Sequence, residues 1–253
     1  MDRGIEAMAE SLMAHMVAYY PDRKGSIEVA RTLADGGASY LEIQFPFSDP
    51  SVDGPVIQSA CTQALEAGFR VAEGFSLVRE ISRLAGKPIF VMSYASLVFA
   101  RGVERFLRDV RDSGALGVII PDLPFDYDEG LFDCAEASGV EVAAVVSPTI
   151  RDERLAAVCG RKGSYLYATL RTGITGGITM IDEKSLSFLK RIGAYKKKIL
   201  AGFGVATHEQ VRLIAPHVHA VVVGTALIRC IQQAEGADLY PRLKSKLEEL
   251  TGK

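Results

Sequence analysis

The most informative stretch of the chain is residues 40–55, YLEIQFPFSDPSVDGP. Its first six residues alternate between polar or aromatic and apolar side chains, a period of two that is typical of a β-strand. Pro46 ends this strand because it has no N–H to donate to a neighbouring strand. The polar loop that follows carries Asp49 and Asp53 and leads into a helix from about Pro55. One carboxylate, Glu42, therefore lies inside a strand, and two lie just beyond its C-terminal end.

A carboxylate within a strand needs an explanation, because an unpaired charge is costly to bury. One interpretation is a functional site that pairs, neutralises or uses Glu42. The alternative is an edge strand on which Glu42 faces solvent, with Asp49 and Asp53 in capping roles in the loop. The choice between the two depends on the fold.

Composition indicates an ordinary globular protein. The chain has 253 residues, 48% of them hydrophobic and 24% charged, which suits one large α/β domain or two small ones. A net charge of −2 gives no reason to expect nucleic acid or an anionic membrane as a partner. No apolar run is long enough to span a membrane, and the N-terminus has no signal-peptide pattern. The four cysteines are scattered and the four histidines lack ligand spacing, so we expect a cytoplasmic protein without a metal site.

Strand and helix signals alternate along the chain after a short amphipathic helix at residues 1–10. Helical patterns follow the strands, among them Asp126–Ser138 and a capping box at Thr207–Gln210. Several strands are apolar on both faces, as parallel strands covered by helices are. The eight predicted strands are Leu12–Tyr20, Tyr40–Phe45, Pro88–Ser93, Gly117–Ile120, Glu141–Val146, Ser164–Ala168, Ile199–Ala201 and Ala220–Val223.

Eight strand–helix units in a chain of 253 residues predict one α/β domain over residues 1–253, a (β/α)8 TIM barrel with an extra N-terminal helix. The competing fold is a doubly wound open sheet. That fold normally has a glycine-rich nucleotide-binding turn after its first strand, and residues 19–26, YYPDRKGS, do not form one.

In such barrels the active site lies at the C-terminal ends of the strands. Glu42 and Gln44 would face the lumen, where a low dielectric suits Glu42 to general acid–base chemistry, while Asp53 on the loop above stays wetter and ionised. Glycines cluster after the last three strands, at residues 172–177, 202–204 and 224, and predict a phosphate site. Residues 171–181 have the composition of a mobile lid.

These motifs resemble those of the tryptophan synthase alpha chain family. The segment FPFSDPSVDGPVIQ, residues 45–58, is similar to the signature of that family, and YLYATLRTGITG (165–176), AGFGV (201–205) and VVVGTALI (221–228) are similar to its later motifs in the same order. The resemblance implies a (β/α)8 barrel that cleaves indole-3-glycerol phosphate to indole and glyceraldehyde 3-phosphate. It also implies an αββα heterotetramer with a pyridoxal-phosphate-dependent beta chain, and no cofactor on this chain.

The resemblance also implies roles for individual residues. Glu42 falls on the general acid/base that protonates indole C3 and takes a proton from the glycerol hydroxyl, and Asp53 on the carboxylate that accepts the indole N–H. The indole pocket and lid are expected to include His15, Gln44, Tyr167 and Thr175, with Tyr94 added because it lies at a strand end. The implied phosphate-binding residues are Gly176, Gly204, Gly224 and Thr225. The residues implied to communicate with the beta chain are Asp49 and Arg171.

Three departures from the family pattern suggest an alternative function. Gln44 stands where a glycine is usual and is expected to enter the space of the indole ring or to bind Glu42. His15 replaces an aromatic wall residue, and residues 19–21, YYP, replace a Gly-Asp-Pro turn. The alternative is a regulatory alpha subunit with weak or lost lyase activity that activates the beta chain using external indole. A third hypothesis is a different phosphate-binding barrel enzyme that needs no beta chain.

Overall fold

Parallel strands form the centre of the computed structural model, which describes residues 11–170, 180–234 and 238–252. The strands in these ranges are β1 (Leu12–Val17), β2 (Tyr40–Gln44), β3 (Ile89–Met92), β4 (Gly117–Ile119), β5 (Glu141–Val142), β6 (Ala144–Val146), β7 (Tyr165–Thr169), β8 (Lys198–Gly202) and β9 (Ala220–Val223). They pair in the order β5-β4-β3-β2-β1-β9-β8-β7-β6. Only Ala143 separates β5 from β6, so the two ends of this order are halves of one strand and the sheet closes into a nearly complete eight-stranded barrel.

Helices follow the strands and cover the outside of the barrel. In the described ranges they are α1 (Arg23–Asp35), α2 (Pro55–Glu66), α3 (Val71–Ala85), α4 (Ala95–Arg101), α5 (Val103–Asp112), α6 (Leu131–Ser138), α7 (Asp152–Gly160), α8 (Glu183–Gly193), α9 (His208–Ile214), α10 (Thr225–Gln232) and α11 (Leu239–Thr251), with a 3₁₀ turn at Ala215–His217. No helix within the described part of the chain is long and apolar enough to cross a membrane.

The predicted (β/α)8 barrel is confirmed, with corrections at the ends of elements. The first strand stops at Val17 rather than Tyr20, because Tyr19 has a φ of 66°, which an extended strand does not allow. The helix predicted from Asp126 begins only at Leu131, since Glu129 and Gly130 also have positive φ values. Helix α4 was not predicted. The helix predicted at residues 1–10 lies outside the described residues.

Strand β2 separates its side chains as its alternation predicts. The apolar side chains of Leu41, Ile43 and Phe45 belong to the core between strands and helices, whereas Tyr40 packs with the lumen residues. Parallel neighbours β1 and β3 flank β2 on both sides. Glu42 therefore lies on a central strand, 3% exposed, and the interpretation as a solvent-facing residue of an edge strand is wrong.

An aromatic cluster anchors the C-terminal end of β2. Phe45 packs edge-on against Phe69, Phe75 and Phe106, with ring centroids 5.0–6.4 Å apart. All four rings are buried. Because Phe45 immediately follows β2, this cluster fixes the strand end from which the next loop begins.

We expect Phe45→Ala to lower the free energy of unfolding by about 3–5 kcal/mol, because it removes a fully buried ring and leaves a cavity that rigid neighbours cannot fill. The matched control is Phe99→Ala, since Phe99 is 39% exposed, and its cost should be about 1 kcal/mol or less. Urea denaturation followed by circular dichroism measures both. Equal losses in the two variants would contradict the anchoring role of the cluster.

Candidate active site

A pocket with about 500 Å³ of empty space, part of it open to solvent, lies among the C-terminal ends of the strands and the loops that follow them. The polar side chains that line it are His15, Glu42, Asp53, Tyr167 and Thr225. The apolar wall is formed by Val52, Ile57, Met92, Ile119, Pro121, Phe203 and Val222, and the remaining lining is Gly204 and Gly224.

Glu42 is held by a histidine on the neighbouring strand. The β1–β2 register places His15 opposite Glu42, and His15 Nδ1 lies 2.9 Å from Glu42 Oε2. The two side chains are buried, with residue exposures of 5% and 3%. Burial lowers the pKa of His15, but attraction to Glu42, their hydrogen bond and the charge of Asp53 outweigh it, so the pKa is raised above its ordinary value of 6.5.

Asp53 is held by two side-chain donors. Its Oδ2 accepts hydrogen bonds from Tyr94 Oη and from Gln44 Nε2, each 2.7 Å long. The backbone is fixed as well, since Asp53 N–H donates to the carbonyl of Pro50 and Gln58 Nε2 donates to the carbonyl of Asp53. These bonds hold the carboxylate over the end of β2.

The expectation that Asp53 is the wetter of the two carboxylates is wrong, because the loop folds back over β2 and leaves Asp53 only 2% exposed. Burial raises the pKa of Asp53 above its ordinary value of 3.8. Three contacts lower this pKa without cancelling the effect of burial: the hydrogen bonds from Tyr94 and Gln44, and the positive charge of His15. The pocket thus contains two buried carboxyl groups with different partners.

Gln44 and Tyr94 were expected to line the pocket, and neither does. The donor group of Gln44 binds Asp53 rather than Glu42 and lies 3.5 Å from Cys61 Sγ, behind the pocket wall. Tyr94 is fully buried, and its hydroxyl also accepts the N–H of Val52. The expectation that Gln44 enters the space of the indole ring is therefore wrong. Its side chain lies beneath Asp53, where it supports the carboxylate.

The glycine loops after β8 and β9 reach the same pocket. Gly204 has a φ of +79°, a conformation that favours glycine, and Gly224 precedes Thr225, the first residue of α10. A Cβ at position 224 would lie 3.4 Å from His15 Cβ and Cγ, so this glycine stands next to His15. Backbone N–H groups at such helix starts suit an anion.

The remaining predicted site residues lie elsewhere. Asp49 is exposed in the loop after β2, where it accepts a hydrogen bond of 2.6 Å from the Ser48 hydroxyl. Arg171, Thr175 and Gly176 lie outside the described residues. In the ranges that the structure covers, no group of three or more His, Cys, Asp or Glu side chains is placed to hold a metal ion.

Sequence reasoning missed the apolar wall of the pocket. Met92, Ile119 and Val222 are the last or next-to-last residues of β3, β4 and β9, and Phe203 stands between two glycines after β8. Their positions at strand ends were the available signal, because lumen-facing residues at the C-terminal ends of barrel strands surround the active site.

The fold and the pocket define this protein as a (β/α)8-barrel enzyme equipped for acid–base chemistry. The sequence model of the family described as tryptophan synthase alpha chain matches residues 4–251. This chain therefore belongs to the tryptophan synthase alpha chain family.

Individual relatives agree with this assignment. The chain is 35% identical to the tryptophan synthase alpha chain of Helicobacter hepaticus, over 88% of this chain and 86% of that protein. Its fold is similar to a solved structure of Mycobacterium tuberculosis tryptophan synthase, with a TM-score of 0.87 and 30% identity over 96% of this chain and 92% of the other. A structure of the tryptophan synthase a2b2 complex of Pyrococcus furiosus matches with the same TM-score and identity, over 96% and 98%.

Proposed function

We propose that this chain is the lyase subunit of a tryptophan synthase, which cleaves indole-3-glycerol phosphate by a retro-aldol reaction to indole and glyceraldehyde 3-phosphate. The observation that carries the proposal is the pair of buried carboxyl groups, Glu42 and Asp53, that line one pocket and are each held by their own hydrogen bonds. Pairs of this kind in different environments are a recurring acid–base arrangement.

Each part of the pocket suits one part of the substrate. Glu42 gives a proton to indole C3 and takes one from the glycerol hydroxyl as the carbon–carbon bond breaks. Asp53 accepts the indole N–H and stabilises the charge that develops on the ring. The apolar wall suits the indole ring, and Tyr167 lines the same pocket as Glu42. Gly204, Gly224 and Thr225 offer N–H groups to the phosphate, together with Gly176 of the lid segment.

We propose a tryptophan synthase beta chain as the partner, in an αββα assembly like the a2b2 complex of Pyrococcus furiosus. Asp49 on the exposed loop after β2 and Arg171 are the proposed points of communication with that partner, and Thr175 belongs to the proposed lid. Pyridoxal phosphate would be bound by the beta chain and not by this one. The chain would act as a single barrel domain over residues 1–253 in the cytoplasm.

The alternative, a regulatory subunit without lyase activity, is not favoured. It depended on Gln44 and on the changed first strand, and Gln44 lies outside the pocket lining in contact with Asp53. A different phosphate-binding barrel enzyme is not favoured either, because the family model matches almost the whole chain.

The test is the release of glyceraldehyde 3-phosphate from indole-3-glycerol phosphate, measured with this chain alone and with its beta chain plus serine. We expect turnover alone and faster turnover with the partner. If there is no turnover, while the chain still accelerates the condensation of indole with serine by the partner, the chain is a regulatory subunit. If neither reaction responds, the proposal of a tryptophan synthase subunit fails.

We expect Gln44→Gly to lower cleavage by about 10-fold rather than to raise it, because the hydrogen bond that positions Asp53 is lost. The variant should also be less stable, since it leaves a cavity in the core. Gln44→Met is the matched control, because it keeps the volume but has no donor. We expect both variants to lose kcat by a similar factor, and only Gln44→Gly to lose stability. A gain of activity in Gln44→Gly would contradict the supporting role of Gln44.

A further inference from the structure

His15 is a polar residue of the pocket, and the proposed reaction assigns it no step. It lies on β1 directly opposite Glu42, so the position of its ring relative to the carboxylate is set by strand pairing rather than by a loop. The 2.9 Å contact between His15 Nδ1 and Glu42 Oε2 is made between two side chains that are each at least nine-tenths buried. Removing such a pair from water is costly unless the two groups interact strongly.

Two carboxyl groups lie close to the ring of His15 in the pocket. The titratable groups that face His15 are Glu42 from β2, Asp53 from the following loop and Tyr167 from β7. Strand β9 has no titratable side chain, and neither has Gly224, which lies between β9 and α10 next to His15. No Lys or Arg of the described residues lines the pocket. Within that part of the chain, His15 is therefore the one pocket side chain that can carry a positive charge beside the two carboxyl groups.

The second ring nitrogen of His15 is also informative. Nε2 is buried and has no hydrogen-bond partner among the described residues. The large majority of buried side-chain polar atoms in proteins have a hydrogen-bond partner. All the hydrogen bonding of this ring in the described structure is thus directed through Nδ1 to Glu42.

We propose that His15 and Glu42 act as one acid–base pair that holds a single proton, with His15 as the positioning residue that keeps the carboxylate oriented and stores the proton. This inference rests on the proposed function. It makes the proton carrier of the cleavage reaction a histidine–carboxylate pair rather than an isolated carboxyl group.

The proton balance of the reaction closes with this pair. The pair begins with one proton and transfers it through Glu42 to indole C3, forming a C–H bond and leaving a neutral imidazole beside an ionised carboxylate. Glu42 then takes the proton of the glycerol hydroxyl. The carbon–carbon bond breaks, its electron pair returns to the indole ring, and the hydroxyl carbon becomes the aldehyde of glyceraldehyde 3-phosphate. The pair ends with one proton and no other reactant is needed.

A shared proton has a consequence for the pH profile. Burial lowers the pKa of His15, but the contact with Glu42 raises it further, so the pKa lies above its ordinary value of 6.5 and the pair holds its proton to higher pH than a free imidazole would. At alkaline pH the pair loses this proton and has none to give to indole C3, so kcat should fall. At acidic pH the pair already holds a second proton and cannot take that of the glycerol hydroxyl, so kcat should fall there as well. The profile is therefore bell-shaped.

The first experiment compares kcat for cleavage from about pH 5 to about pH 10 in the wild type, His15→Asn and His15→Phe. Asparagine can still donate to Glu42 but does not titrate, and phenylalanine keeps an aromatic ring but neither donates nor titrates. We expect the alkaline fall of the wild type to move to lower pH in both variants, because the imidazole that stores the proton is gone. At the optimum, His15→Asn should stay within about 5-fold of the wild type and His15→Phe should lose about 10-fold or more. An unchanged alkaline fall in His15→Phe overturns the proposal.

The second experiment does not depend on cleavage. An NMR titration of the His15 imidazole, with its signals identified by their absence in His15→Asn, compares the wild type with Glu42→Gln. We expect the pKa of His15 to fall by about one unit or more when the carboxylate is removed. If the pKa of His15 is the same in Glu42→Gln as in the wild type, the proposed pair is overturned even if the enzyme cleaves its substrate. If the pair titrates as expected but no cleavage occurs, the proposed function fails while the coupling of His15 to Glu42 stands.

Discussion

Glu42→Gln is expected to lower kcat for cleavage of indole-3-glycerol phosphate by about 10³-fold, because glutamine can neither take nor give a proton at the reacting carbon. The substitution keeps the volume of the side chain. Its amide oxygen can still accept the hydrogen bond from His15 Nδ1, which is 2.9 Å from the carboxylate in the wild type. We therefore expect the fold to be retained and KM to change little, so that the loss appears in kcat.

The measurement is steady-state release of glyceraldehyde 3-phosphate, together with a urea denaturation curve for each protein. Glu66→Gln is the matched control, since Glu66 lies at the exposed C-terminal end of α2. It makes the same chemical change outside the pocket and should leave kcat within about 2-fold of the wild type. If Glu42→Gln kept more than about a tenth of wild-type kcat, another group would have to be the proton carrier.

Asp53→Asn is expected to reduce kcat by about 10²-fold or more, since it removes the negative charge that stabilises the indole ring as it is protonated. The asparagine Oδ1 can accept the hydrogen bonds that Tyr94 and Gln44 now donate to Oδ2 of Asp53. The loop should therefore keep its conformation, and the loss of activity should reflect charge rather than misplacement.

The same substitution should raise stability at neutral pH. The pKa of Asp53 is raised in the folded protein, chiefly by burial, so the folded state holds the proton more tightly than the unfolded chain does. The stabilising contribution of this proton is complete below the ordinary value of 3.8 and is lost as the pH rises through the raised value. Asparagine has no proton to lose. The variant should therefore be more stable than the wild type at pH 7, and the difference should shrink towards acidic pH.

Urea denaturation at several pH values tests this second effect, with Asp112→Asn as the control because Asp112 is exposed and paired with Arg111 at the surface. The control should show no comparable dependence on pH. Asp53→Asn could instead be less stable than the wild type at neutral pH. In that case the hydrogen bonds from Tyr94 and Gln44 to the carboxylate would stabilise the folded protein by more than burial of the charge destabilises it.

The features that the sequence alone determined are local. The alternation of Tyr40–Phe45, the capping box at Thr207–Gln210 and the rhythm of strands and helices depend on neighbours within one or two turns of chain, and they led to the barrel. The position of Glu42 on the lumen face followed from the period of two. The family followed from the same motifs, which the family model matches over residues 4–251.

The contacts within the site were decided by the tertiary structure. His15 and Glu42 are 27 residues apart, and their contact depends on the register of β1 against β2. Tyr94 and Asp53 are 41 residues apart, and their contact depends on how the loop after β2 closes over the barrel. The same closure buries Asp53 and directs Gln44 towards it and away from the pocket. Register and loop closure are set by many small packing interactions summed over the whole barrel, so no single stretch of sequence contains them.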